Sequence, residues 1–261
     1  VKDIKKKRCI TQMGKSKRAL LVGINYKGTK SELNGCINDV LQVKEFLLNN
    51  GYKEKFITVL TDETKVKPTR ANILKHLLKL IVSGSNTLYF HYSGHGGQTK
   101  DLSNDELDGY DETLVPIDYY KSGMIIDDEI RGLLPSLSPK QHLTVVLDCC
   151  HSGSGMDLKW NLFEKFGGRR LVLIPDIHYS DTRGQVIMFS GCQDEQTSAD
   201  AYISSKFQGA MTHAFLYCYP HCKNYETLIR EIRRYLRENH YTQVPNLSSG
   251  KQFDLKQKIK I

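Results

Sequence analysis

The chain has 261 residues, a formal net charge of +8 and seven cysteines, long enough to bury a full core as one large domain or two small ones. No apolar run approaches the roughly 18 to 20 residues that cross a bilayer, and Val1-Lys2-Asp3-Ile4 lacks the apolar core of a signal peptide, so a soluble, cytoplasmic protein is expected. An odd cysteine count without framework spacing speaks against a disulfide scaffold and for a reducing compartment.

Residues 1–18 carry eight Lys or Arg against Asp3 alone, a basic arm best read as solvated, with no nucleic-acid partner expected. Ala19-Leu20-Leu21-Val22-Gly23-Ile24 then reads as a central strand ending in a polar loop. Cys36, Ile37, Val40, Leu41, Val43, Phe46 and Leu47 recur at helical spacing up to Asn49-Asn50-Gly51. Phe56 to Leu60 is a second strand. Thr69 caps a helix burying Ile73, Leu74, Leu77, Leu78 and Ile81. Asn86 to Tyr92 is a third strand, and Thr99 to Asp118 reads as an acidic loop with a short strand at Thr113 to Pro116. Asp127 to Leu134 is a short helix and Leu143 to Leu147 a buried strand. Residues 151–184 hold several glycines and no sustained period, which predicts a long mobile connection. Gln185 to Phe189 is a strand, helices lie within Gly209 to Tyr217 and from Asn224 to Asn239, and Gln252 to Leu255 closes the sheet. Strands alternating with helices argue α/β, with a mostly parallel sheet and right-handed crossovers.

The chemistry concentrates where two of those strands stop. Phe90-His91-Tyr92-Ser93-Gly94-His95-Gly96-Gly97 offers an imidazole and Val145-Val146-Leu147-Asp148-Cys149-Cys150-His151-Ser152-Gly153 a thiol. A thiol attacks as thiolate, and a nearby His both takes its proton and balances its charge. His95 lies 55 residues before Cys150, close to the caspase-type spacing. These two motifs, with Gly35-Cys36-Ile37-Asn38-Asp39 and Ile126-Asp127-Asp128-Glu129, resemble in order the signatures of the metacaspases, caspase-like cysteine peptidases, over roughly residues 18 to 255. The resemblance implies a caspase-like sandwich, a central sheet of about six or more strands with helices on both faces. It implies a peptidase domain over 19–261 whose connection 151–184 separates a larger from a smaller half.

Residue by residue, the resemblance makes Cys150, directly before His-Ser-Gly, the nucleophile and His95 its base, with Cys149 a packing residue. His91, inside its strand, reads as a core histidine, and His151 diverges from its neighbour Cys150. The N–H groups of Gly96 and Cys150 would form the oxyanion hole. Asp39 and Asp148, with Cys36 and Ser93, are placed around the residue before the scissile bond. Two converging carboxylates ask for a cation, which a substrate Arg or Lys supplies; alternatively, Asp39 is a helix-terminal charge and Asp148 a strand-end turn residue.

Residues 101–129 hold ten carboxylates and one base, Lys121. Oxygen donors suit Ca²⁺, and the resemblance maps activating calcium ligands onto Asp111, Asp127, Asp128 and Asp157; a solvated acidic loop is the other reading. Zinc at Cys218-x3-Cys222 with His213 and His221 lacks a second paired motif. The expected activity is a calcium-activated endopeptidase cutting protein or peptide substrates after Arg or Lys, and cutting itself within 159–183 at Lys159, Lys165, Arg169, Arg170 or Arg183. The competing reading is a catalytically silent scaffold of the same fold.

Overall fold

Alternation along the strands decides the layers. In the computed structural model β1 (Lys17–Gly23) is followed by α1 (Cys36–Asn49), β2 (Ile57–Thr61), α2 (Arg70–Ile81), β3 (Thr87–Ser93), β4 (Gly96–Lys100), β5 (Tyr110–Leu114), α3 (Tyr119–Ser122), β6 (Ile125–Ile126) and α4 (Asp127–Arg131). Then come β7 (His142–Asp148), β8 (Trp160–Lys165), β9 (Arg170–Pro175), β10 (Gln185–Ser190), β11 (Asp200–Ile203), β12 (Lys206–Gly209), α5 (Ala210–Cys218), α6 (Tyr225–Glu238) and β13 (Asn246–Ser249). The structure describes residues 16–100, 109–149, 155–191, 200–203 and 206–261, with backbone alone for 200–203 and 206–208.

Ala19, Leu21, Tyr89, Val146, Ile187 and Phe189 face one way and meet Val40, Val43 and Leu47 of α1 with residues of α5 and α6. Leu20, Val22, Phe90, Val145, Leu147 and Met188 face the other and meet Ile73, Leu77 and Ile81 of α2 with Ile130 of α4. Each such buried aliphatic or aromatic side chain contributes about 1.5 to 3 kcal/mol, and two covered faces explain the near-continuous apolar runs of β3 and β7. The caspase-like α/β sandwich expected from sequence is what forms.

The eight strands of the main sheet run in the order β2-β1-β3-β7-β10-β13-β8-β9. The first five are parallel and β13, β8 and β9 are antiparallel additions. From β1 the chain moves outward to β2 and then returns to β3 on the other side. Strand order therefore reverses between β1 and β3, and in open α/β sheets the crevice beyond the strand ends at such a reversal is where ligands bind.

Three expectations need correction. Residues 160–175 are the β8–β9 hairpin at the sheet edge, turned through Phe166, Gly167 and Gly168 at positive φ, rather than a mobile connection. Within the segment from Thr99 to Asp118, of which 101–108 lie outside the described residues, Thr99 and Lys100 end β4 and Tyr110–Leu114 form β5, both in a separate three-stranded sheet, β4-β5-β6. The sheet is closed against β10 by Asn246–Ser249 and not by Gln252 to Leu255. In detail, Leu41 and Leu78 point to solvent, and Leu80 takes an inward place on α2. Residues 1–15 of the basic arm lie outside the described residues, and Lys17 and Arg18 open β1. Among the described residues no helix is long and apolar enough to cross a membrane.

Candidate active site

β3 and β7 lie side by side with Ser93 paired to Asp148 and Gly94 N–H donating to the Asp148 carbonyl at 3.4 Å. Both motif segments thus leave the sheet together, His95 two residues beyond Ser93 and Cys150 two beyond Asp148. Cys150 and His151 fall outside the described residues, as does the Cys150 half of the expected oxyanion hole; Gly96 opens β4 opposite Leu114.

His95 is held on three sides. Its Nε2 lies 2.8 Å from the Ser31 carbonyl oxygen; a carbonyl only accepts, so Nε2 carries a hydrogen and the neutral ring keeps Nδ1 as its acceptor. That tautomer is the one a base needs. The imidazole packs against the Tyr26 ring at a centroid distance of 4.8 Å. The His95 backbone N–H donates to Tyr26 Oη at 3.0 Å, and Tyr92 Oη donates to the His95 carbonyl at 2.8 Å. By contrast His91 is fully buried, and burial alone holds its imidazole down to about 3. It is a neutral core residue without hydrogen-bond partners among the described residues.

Cys149 is buried on the α2 side of the sheet, among Tyr92, Leu147 and Met156. Asp148, its strand neighbour, faces the other way. There the Asp148 carboxylate accepts the Thr212 N–H at 2.7 Å, while Asp39 accepts the Gly209 N–H at 3.0 Å and the Ser93 hydroxyl at 2.6 Å. The N-terminus of α5 therefore places charge-assisted donors against both carboxylates. How close the two acids come is shown at Gly209, where a Cβ would lie 2.1 Å from Asp148 Oδ2 and 2.9 Å from Asp39 Oδ2. Cys36 is buried at the start of α1, its N–H donating to Asn25 Oδ1 at 3.0 Å. The four residues expected around the substrate side chain thus come from β3, β7 and one end of α1. Gly209, Thr212, Asn25, Ser31 and Tyr26 are additions that the sequence did not single out.

In the acidic region Asp111, Glu112, Asp127 and Asp157 are buried, and Asp128 is partly exposed in the first turn of α4. Asp127 accepts N–H bonds from Glu112 and Asp128, each at 2.9 Å. Burial first, then the Asp157 and Glu112 carboxylates, push its carboxyl well above the ordinary range. Among the described residues no three His, Cys, Asp or Glu side chains close into a metal cage. The chemistry of the donors nevertheless suits a hard cation, because adjacent buried carboxylates repel until a positive charge stands between them. Glu112 escaped the sequence reading because nothing distinguishes it from its acidic neighbours until β5 pairs with β6 and brings it beside Asp127.

Fold and site together define a caspase-like protein. Residues 17–159 match the family described as metacaspase, peptidase C14 domain. Metacaspase-1A of Neurospora crassa is 37% identical over 92% of this chain, and Metacaspase-1 of Emericella nidulans 38% over 92%. A protein of Geobacter sulfurreducens with a crystal structure is 27% identical, with a TM-score of 0.68 over 94% of this chain and 98% of its own. The chain belongs to the metacaspase family. It spans 64% of the Neurospora relative's length and 71% of the Emericella relative's.

Proposed function

We propose that this chain is a cysteine endopeptidase that cleaves after Arg or Lys. The observation that carries the reading is the convergence of Asp39 and Asp148 at Gly209, on strands and helices that also deliver His95 to the same edge of the sheet. His95 Nδ1 takes the Cys150 thiol proton, and the thiolate attacks the scissile carbonyl carbon. The resulting oxyanion is bound by the Gly96 and Cys150 N–H groups. As the tetrahedral adduct collapses, His95 returns the proton to the leaving amine, and it then activates water to release the acyl group. A substrate guanidinium or ammonium placed between Asp39 and Asp148 satisfies both acids, whereas a substrate carboxylate there would be repelled.

Calcium activation belongs to the same proposal, with Asp111, Asp127, Asp128 and Asp157 as the oxygen donors. When bound, the ion supplies positive charge that offsets the repulsion around Asp127 and ties down the chain leaving the active-site strand. Self-cutting within 159–183 is part of it too, as is a cytoplasmic location. Fluorogenic peptides ending in Arg, Lys or Asp, assayed with Ca²⁺ or chelator on wild type and Cys150→Ala, test the whole. Calcium-dependent release from Arg and Lys peptides, absent in Cys150→Ala, is the expected result. Comparable kcat/KM on the Asp peptide overturns the pocket assignment, and no Cys150-dependent turnover leaves the silent-scaffold reading.

A further inference from the structure

We propose that Tyr26 is a positioning residue for the base, fixing the His95 main chain and ring so that Nδ1 is presented to the thiol; this rests on His95 acting as the base. Tyr26 lies just past β1, on the β1 side of the strand-order reversal, in the left-handed region at φ 51°. A side chain other than glycine adopts that conformation at a cost, sustained only where surrounding contacts fix it. Those contacts are present. The Tyr26 carbonyl accepts the Thr29 N–H at 3.1 Å and the Thr29 hydroxyl at 2.8 Å, and the flanking Asn25 and Lys27 N–H groups donate to the Asp62 carboxylate at 2.7 and 3.2 Å. The strained turn sends the phenol inward beneath the β3–β4 junction instead of along the strand.

The hydroxyl there has a defined role. It accepts the His95 N–H at 3.0 Å and donates to the Val115 carbonyl at 2.6 Å, so one oxygen bridges the base to the chain following β5. Tyr92 completes the arrangement, donating to the His95 carbonyl at 2.8 Å and standing 3.2 Å from Tyr26 Oη. Both peptide groups of His95 are thereby bound to buried phenols. Burial pushes both hydroxyls well above their ordinary ionisation range, so they remain hydrogen-bonding OH groups at any working pH. Gly94 is what permits the approach: a Cβ there would meet Tyr92 Oη at 2.8 Å and Tyr26 Oη at 3.0 Å. The Tyr26 ring then covers one side of the imidazole while Ser31, five residues on, binds Nε2.

Tyr26→Phe keeps the ring and the turn and removes only the bridging oxygen. Loosening the base by a fraction of an ångström should lower kcat roughly 10- to 100-fold, with KM for the Arg peptide within about twofold because Asp39 and Asp148 are not touched. A purely structural residue would lower the melting temperature without separating kcat from KM. The second readout is alkylation of Cys150 by iodoacetamide across pH. With the imidazole as proton acceptor, alkylation of the wild type should persist at about pH 6, below the free-thiol range, and Tyr26→Phe should lose about tenfold there yet converge with wild type at about pH 9.5, where a thiol ionises unaided. If Tyr26→Phe does not fold, Gly94→Ala displaces both hydroxyls without deleting either and should give the same pH-dependent loss. Wild-type kcat and alkylation profile in a folded Tyr26→Phe overturn the proposal. A wild type whose alkylation is indifferent to His95→Ala overturns instead the assignment of His95 on which it rests.

Discussion

Replacing Gly209 with alanine places a Cβ 2.1 Å from Asp148 Oδ2, 2.6 Å from its Cγ and 2.9 Å from Asp39 Oδ2. The backbone of Gly209, at φ −69° and ψ 133°, is comfortable for alanine, so the effect is steric and local. Ordinary contact lies near 3.5 Å, so the Asp148 carboxylate must retreat by more than ~1 Å. That movement breaks its bond from the Thr212 N–H, a charge-assisted interaction of about 1.5 to 3 kcal/mol, and adds overpacking of about 1 to 3 kcal/mol. A displacement of this size costs about 100-fold in kcat/KM when it falls on substrate-positioning groups. Kinetics on Arg and Lys peptides should show that loss mainly in KM, and iodoacetamide labelling of Cys150 should stay near wild type because His95 is untouched. If a folded Gly209→Ala protein retains kcat/KM within about twofold on both peptides, Asp39 and Asp148 do not form the substrate pocket and act only as acceptors for the start of α5.

Cys150→Ala should abolish peptide hydrolysis while Cys149→Ala leaves most of it, since Cys149 is packed on the opposite face of the sheet from Asp148; equal losses in two folded variants reassign the nucleophile. Asp127 has a raised carboxyl, so the fold holds its proton where the unfolded chain has lost it. Stability in chelator should therefore be full below the ordinary carboxylate range and fall as pH rises towards the folded value, by at most about 1.4 kcal/mol per pH unit. Asp127→Asn should flatten that slope and remove the stabilisation by Ca²⁺ near neutral pH; melting curves with the slope unchanged would count against the cluster. Self-cutting should fall in the hairpin turn between Lys165 and Arg169, or at exposed Arg183, and spare Lys159, whose carbonyl accepts the Asp176 N–H and whose amine pairs with Asp181. Mass spectrometry of new termini in wild type and Cys150→Ala decides this, cuts confined to Lys159 being the adverse result.

Elements with a buried stripe or an uninterrupted apolar run were legible in the sequence. The Thr69 cap of α2 and the Asn224 cap of α6 do what their residue types suggest, accepting N–H bonds from Asn72 and Thr227. Edges were not legible. β4 is Gly-Gly-Gln-Thr-Lys, partly exposed along most of its length, and has no apolar alternation to announce it. The β8–β9 hairpin did carry a signal in Gly167-Gly168 between the apolar residues Leu162-Phe163 and the apolar run Leu171 to Ile174, but three further glycines, Gly153, Gly155 and Gly184, diluted it into an apparent loop. Asp39, Ser93, His95 and Asp148 carry motif side chains, which is why the sequence could single them out as candidates. Gly209, Thr212 and Ser31 act through backbone N–H and C=O groups, which every residue type carries, so only the fold could reveal them.

The connection from Ile24 to Gly35 ties the two halves of the site to each other. Asn25 Oδ1 accepts the Cys36 and Ile37 N–H groups at 3.0 and 3.3 Å, standing in for a side-chain cap that Gly35 cannot provide, and so sets the start of the helix that carries Asp39. Its carbonyl accepts the Leu33 N–H at 2.8 Å, which closes the loop holding Ser31 beneath His95. Asn25→Ala removes the acceptor for two helix N–H groups, a loss of about 0.5 to 2 kcal/mol, and loosens the start of the helix that carries Asp39, whereas the backbone carbonyl at this position keeps the Leu33 bond and with it the loop holding Ser31. KM should therefore rise with kcat near its wild-type value, as in Gly209→Ala and unlike Tyr26→Phe, which moves mainly kcat. Steady-state kinetics on the Arg peptide distinguish these outcomes. A folded Asn25→Ala protein in which kcat falls as far as KM rises would show that the Asn25 side chain holds the base as well as the helix start.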